Sequence, residues 1–161
     1  MKSILLGLDL ADPHRVVIDK AADVARTYDA RLRIVYVAPP DPSFLGSASW
    51  PQEVRDSLAS ELKEEHTMLA DIAESLRTKG IAADSLMMRG HVIETLANQI
   101  NRIKPEMAIL GSKMEGGLLQ TLGGGVVRGV VKKSGCPVLV IPIPPSEEEE
   151  LCEDEEASPA P

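Results

Sequence analysis

Met107-Ala-Ile-Leu-Gly111-Ser-Lys-Met114-Glu-Gly-Gly-Leu118-Leu-Gln-Thr-Leu-Gly123-Gly124-Gly125-Val126-Val127, followed closely by Cys136-Pro-Val-Leu-Val-Ile-Pro142, is the stretch on which the fold turns. A short apolar run closes on Gly111-Ser112, a glycine-rich loop follows, and a valine-spaced helix starts directly after three glycines. This is strand, loop, helix. Glycines at such a junction let backbone N–H groups converge on a small anion, because no Cβ blocks the approach and the helix dipole favours negative charge. The same glycines also suit a plain flexible turn, so composition leaves both readings open. Two known phosphate motifs are excluded. There is no G-x-x-x-x-G-K-[ST], and Arg128 stands where G-x-G-x-x-G, counted from Gly123, needs its last glycine.

Working outward, the same alternation recurs. Ser3 to Leu8 is an apolar run of strand length that ends at Asp9. Asp12 and Pro13 then form a helix start, and Val17, Ala21, Val24, Ala25 and Tyr28 share one helical face. Leu32 to Val37 reads as the second strand, Ala82 to Met88 as a weaker third, Met107 to Leu110 as the fourth and Val138 to Ile141 as the fifth. Between them, Ser49 with Gln52 reads as a capping box opening a helix that buries Val54, Leu58, Leu62, Leu69, Ile72 and Leu76 and stops at Gly80. A further helix carries Ile93, Leu96, Ala97, Ile100 and Ile103 inside and ends at Pro105. The last presents Val126, Val127, Val130 and Val131 to the core before Lys132-Lys133 and Gly135. Strands alternating with helices predict an α/β fold, with a parallel sheet covered on both faces. Ligands of such sheets bind beyond the strands' carboxyl ends where the winding reverses, here Asp9, Val37-Ala38 and Leu110-Gly111.

A chain of 161 residues amounts to one domain. Its net charge of −8 is confined to residues 146–161, which hold eight acidic and no basic residues and leave 17 of each sign elsewhere. The expected division is a folded domain over 1–145 and a disordered acidic tail over 146–161, solubilising or seeking a basic protein partner. A near-neutral domain with one Trp, one Phe and two Tyr offers neither basic groove nor stacking platform, so no nucleic acid partner is expected. No membrane association is expected either, since no apolar run approaches spanning length, and the location is expected to be cytoplasmic. Cys136 and Cys152 are not expected to pair. The proline-rich segment with Phe44 and Trp50 reads either as a flap over the ligand site or as a loop pinned to the next helix.

No Ser/His/Asp or Cys/His constellation is visible, and His14, His66 and His91 fall at unrelated places, so neither catalytic residues nor a metal site is expected.

Ile4-Leu-Leu-Gly-Leu-Asp9, Ile34-Val-Tyr-Val37, the run from Met107 to Gly111, the glycine loop with its valine helix and Cys136-Pro-Val-Leu-Val-Ile141 together resemble the universal stress protein family, over about residues 1 to 143. The resemblance implies a doubly wound five-stranded sheet of order 3-2-1-4-5, Rossmann-like and similar to adenine nucleotide alpha hydrolases. It also implies a small stress-response protein that binds an adenine nucleotide, ATP or AMP, at the strand tips, with Mg2+ as an accessory that Asp9 could hold. Asp9, Val37 and Leu110 would contact the adenosine half, and Gly111, Met114, Gly124, Gly125 and Val126 would lie along the phosphate loop. At most, slow ATP hydrolysis would accompany binding. Members that bind ATP carry G-x2-G-x9-G-[ST]. Counted from Gly111, this chain has Met114 at the second glycine, keeps Gly124, and has Gly125 in place of the hydroxyl residue. A side chain at 114 adds about 1–2 kcal/mol if that backbone is left-handed, and the missing hydroxyl removes a hydrogen bond worth roughly 1.5–3 kcal/mol. The departures disfavour a triphosphate, leaving AMP preferred, or a dimer that has lost ATP binding and acts as a protein-interaction scaffold. Lys113 supplies a cation near the same loop. The homodimer would form through the edge strand Val138 to Ile141, bounded by prolines.

Overall fold

The computed structural model describes residues 2–10, 15–40, 51–113 and 125–144. They form β1 (Ser3–Gly7), α1 (Arg15–Thr27), β2 (Arg31–Ala38), α2 (Gln52–Thr78), β3 (Ala83–Arg89), α3 (Val92–Ile103), β4 (Met107–Lys113), α4 (Gly125–Lys133) and β5 (Val138–Ile143). The sheet is parallel throughout, in the order β3-β2-β1-β4-β5. This is the doubly wound α/β fold expected from the sequence.

Each central strand is apolar on both sides because both sides are covered. Ile4, Leu6, Ile34 and Ile109 pack under Val17 and Ala21 of α1 and Leu69, Ala73 and Leu76 of α2. Leu5, Val35, Ala108 and Leu110 point the other way, into Leu96 and Ile100 of α3 and Val127 and Val130 of α4. Burying side chains of this size contributes about 1.5–3 kcal/mol each. Two layers of them hold the sheet between its helices.

The chain reverses where the sequence marks it. Asp29 (φ 48°) leads from α1 into β2, and Gly80 (φ 80°) ends the turn after α2 in the left-handed region that glycine tolerates best. Lys104, also left-handed at φ 51°, caps α3 ahead of Pro105.

Several expected details are corrected. Pro51, rather than Ser49, is the N-cap of α2, without a side-chain cap bond, and the Gln52 amide instead donates to Asp56 Oδ1 at 2.9 Å. Ser49 itself lies outside the described residues, as do Asp12, Pro13, His14, Phe44, Trp50, Met114, Gly124, Cys152 and the tail. Val54 is 38% exposed and Leu58 half-buried, because 27 helical residues run about 40 Å while the eight residues of β2 run about 27 Å. The helix outgrows the sheet beneath it. Tyr28, Val126 and Val131 are likewise exposed. A nine-residue helix presents only Val127 and Val130 squarely to the sheet, leaving the flanking valines outside. β4 and β5 stay paired as far as Lys113 and Ile143, beyond the expected ends at Leu110 and Ile141.

At the sheet edge, Ala108 N–H donates to Pro137 O at 2.9 Å while Ala108 stands opposite Val138. In a parallel ladder that alternation turns the backbone groups of Leu139 and Ile141 toward β4 and those of Val138 and Val140 outward. Pro142 falls in the outward set, where its missing N–H breaks no bond within the sheet.

Candidate functional site at the strand tips

β1 ends between two strands that end beside it. Gly7 is in register with Val35 on one side and Leu110 on the other, and Leu8 N–H donates to Val35 O at 3.0 Å. Beyond these tips lies a cavity of about 490 Å³. Gly7, Leu8 and Asp9 line it from β1, Val35, Tyr36, Val37 and Pro39 from β2, and Leu110, Gly111 and Lys113 from β4. Val92 and Leu96 of α3, Val126 and Val127 of α4, Val17 of α1 and Ile143 of β5 complete the wall. Apolar walls with a few polar groups are the usual make-up of a small-molecule site, and the size is within the usual range. Among the described lining residues, Asp9 is the acid and Lys113 the base, and both are exposed.

Of the residues named from the sequence, Asp9, Val37, Leu110, Gly111 and Val126 thus converge on one cavity. Gly125 is the first residue of α4 and is not among the lining residues, while Met114 and Gly124 lie outside the described residues. Gly111 differs from expectation: it sits within β4, opposite Ile141, not in the loop. A Cβ there would stand 2.9 Å from Ile143 Cδ1 and 3.0 Å from Val17 Cγ2, so its missing side chain serves close packing of β5 and α1. Gly7 has the same character, since its Cβ would meet Leu110 Cδ2 at 2.5 Å. Sequence reasoning passed over Gly7, although a glycine inside an apolar strand often marks such a close approach.

The Tyr36 hydroxyl donates to Glu65 Oε1 of α2 at 2.9 Å. Burial, helped by this bond to a carboxylate, pushes the phenol up to about 12. On the other face, Cys136 packs half-buried against the α3–α4 layer, and burial raises its thiol above the ordinary value. Among the described residues, no three His, Cys, Asp or Glu side chains come together as a metal site would require. His91 is the N-cap of α3, with no side-chain cap bond, and His66 is exposed on α2.

A larger open groove of about 890 Å³ runs between α1 and α2, with Ile18, Met68 and Ile72 flanked by Arg15, Lys63, Glu64 and Asp71. It lies along the helices, away from the strand tips, and its charges alternate in sign. Size alone does not make it the site; the smaller cavity is where three strand ends converge.

The model of the universal stress protein family matches residues 1–142. The chain belongs to the universal stress protein family. It is 27% identical over 148 residues to Universal stress protein MJ0531 of Methanocaldococcus jannaschii, covering 91% of this chain and 85% of that one. Its fold is similar to that of the universal stress protein from Archaeoglobus fulgidus solved in complex with dAMP, with TM-score 0.61, 16% identity and coverage of 88% of this chain and 98% of that one. It is also similar to a universal stress protein solved in complex with cAMP, with TM-score 0.61, 16% identity and coverage of 87% and 95%. The Rossmann-like α/β architecture is therefore shared with these solved relatives, and the cavity of this universal stress protein lies at the carboxyl edge of its sheet. Among the described residues, no helix is long and apolar enough to cross a membrane.

Proposed function

We propose that this universal stress protein is a cytoplasmic, non-catalytic regulator that binds an adenine nucleotide in the cavity at the tips of β1, β2 and β4, with AMP favoured over ATP. The observation that carries the reading is the convergence of Asp9, Val37, Leu110, Gly111 and Val126 on one apolar-walled cavity. The solved relatives that hold dAMP and cAMP support an adenine ligand carrying a single phosphate. In this reading Val37 and Leu110 flank the base and Asp9 accepts from ribose hydroxyls. Met114, Gly124 and Gly125, as the signature positions, would be the contacts to the phosphate. Asp9 would also be the ligand for any Mg2+ that accompanies a longer phosphate chain.

The test is calorimetric titration with AMP, ADP and ATP, with mass spectrometry of ligands released on denaturation. AMP is expected to bind more tightly than ATP. Met114→Gly combined with Gly125→Ser, which restores the glycine and the hydroxyl of the ATP-binding signature, is expected to improve ATP binding by about a hundredfold. Among the described residues, a Cβ at Gly125 meets nothing within 4 Å. A natural protein that prefers ATP over AMP would overturn this reading.

A second reading is favoured by the sheet edge. Leu139 and Val140 on β5 are each 39% exposed and β5 pairs with β4 alone among the described strands, so two copies could join there as an antiparallel homodimer. Such a dimer serves equally as a scaffold should no nucleotide bind.

A further inference from the structure

We propose that Tyr36 is a specificity-determining residue of the strand-tip cavity: its hydroxyl oxygen and the Asp9 carboxylate are paired acceptors that select a nucleotide with both ribose hydroxyls free. The inference rests on the nucleotide-binding reading and deepens it, naming the sugar that the site takes.

Tyr36 lines the cavity between Val35 and Val37 and is buried in its wall. Its hydroxyl donates to Glu65 Oε1 of α2 at 2.9 Å. A phenol has one hydrogen, and here that hydrogen is engaged with Glu65. Toward any other partner Tyr36 Oη can only accept. Gly7 and Val35 are in register, so Asp9, two residues beyond Gly7, and Tyr36, one beyond Val35, belong to the same end of the cavity. Burial and the bond to Glu65 raise the Tyr36 phenol, and the charge of Asp9 adds to the rise, as it does when two groups stand close enough to interact.

The polar side chains among the described lining residues then sort by what they can do. Asp9 as a carboxylate accepts, Tyr36 accepts, and the Lys113 ammonium donates; the rest of the lining is Val, Leu, Ile, Gly and Pro. A matching ligand brings hydroxyl donors for the first two and an anion for the third. A ribonucleoside monophosphate brings both, since its 2′ and 3′ hydroxyls are adjacent donors and its phosphate is the anion. Removing either hydroxyl sets a sugar carbon against an acceptor, and an acceptor left unpaired in an apolar wall is costly. The bond to Glu65 also fixes the phenol before the ligand arrives, so no proton has to be turned aside on binding. Selection here means that the deoxy analogues bind more weakly, not that they are shut out.

The experiment measures Kd for AMP, 2′-deoxy-AMP and 3′-deoxy-AMP on the natural full-length chain, Tyr36→Phe and Asp9→Ala, each shown to be folded by circular dichroism. The natural protein is expected to bind AMP about tenfold more tightly than either analogue. Tyr36→Phe keeps the ring and removes the oxygen. It is expected to bring AMP to within about twofold of one analogue, whose own Kd hardly changes, while Asp9→Ala does the same for the other analogue. A merely structural role for Tyr36 would weaken all three nucleotides by a common factor, and that result overturns the proposal. So does an analogue that binds the natural protein as tightly as AMP, an outcome that needs no variant to be seen. In either case AMP still binds and only the role of Tyr36 falls. If the natural protein binds none of the three, the nucleotide reading itself fails and the sugar selection with it.

Discussion

Tyr36 sits near the carboxyl end of β2 with its ring buried and its hydroxyl on Glu65, and its pKa of about 12 has a consequence for stability. The folded state holds the phenolic proton to higher pH than the unfolded chain, whose tyrosine titrates near about 10. The contribution is therefore whole below pH of about 10 and is lost as pH rises toward about 12. Urea unfolding followed across that window should show the natural protein losing stability more steeply than Tyr36→Phe. At pH 8 the variant should already be weaker by about 1.5–3 kcal/mol, the worth of a hydrogen bond to a charged acceptor. Equal alkaline slopes for the two proteins would remove the claim. Tyr36 also marks a limit of reading residues one at a time. The stretch Ile34 to Val37 was legible as a strand, but its bond to Glu65, 29 positions away, exists only once α2 lies across it. Asp9, Val37 and Leu110 were legible because strand ends are visible as composition changes. Leu96 and Ile143 were not, because a residue in a helix or an edge strand reaches the cavity only through tertiary packing.

Among the elements, α3 and α4 are joined by contacts that periodicity does not show, among them the ion pair of Lys133 Nζ with Glu94 Oε1 at 2.8 Å. A Cβ at Gly129 would stand 2.6 Å from Ile93 Cδ1 and 2.8 Å from its Cγ2, so the two helices approach through a glycine. At the far end the Asn101 amide is used twice: its Nδ2 donates to Lys133 O at 3.0 Å, and its Oδ1 accepts from Gly135 N–H at 2.9 Å. Gly129→Val is expected to cost about 2–3 kcal/mol through overpacking, read as a lowered urea midpoint. Adding Ile93→Ala should recover part of that loss, whereas strictly additive losses would show that the two side chains do not meet. The helices themselves were legible from valine and isoleucine spacing. Which valines of α4 are buried was not, because periodicity gives a face and not the width of what covers it. The burial of Val54 and Leu58 on α2 was misjudged for a related reason: a pattern of leucines says nothing of how far the sheet beneath extends.

For the whole molecule, the alternation of strands and helices predicted a parallel sheet, but the order β3-β2-β1-β4-β5 followed from the family resemblance, since several windings satisfy the same alternation. That order leaves β5 with outward backbone groups at Val138 and Val140. Val140→Pro should remove an outward donor without touching β4, giving a monomer in sedimentation with an unchanged circular dichroism spectrum. Leu139→Pro, whose donor faces β4, should instead damage the sheet. A Val140→Pro protein that still sediments as a dimer would exclude this interface.

The position of β1, between β2 and β4, also bears on how the chain is made. Its partners lie about 30 residues downstream on one side and about 100 on the other. While a ribosome is still translating the middle of the message, β1 can already pair with β2, yet its second flank stays bare until Met107 emerges. Strand pairing on that flank is open to a neighbouring nascent chain for as long as synthesis of the intervening segment takes, which is several seconds at about 5–20 residues per second. The cavity draws its wall from residues as far apart as Gly7 and Ile143, so it comes into being only once Ile143 has been made and β5 has docked.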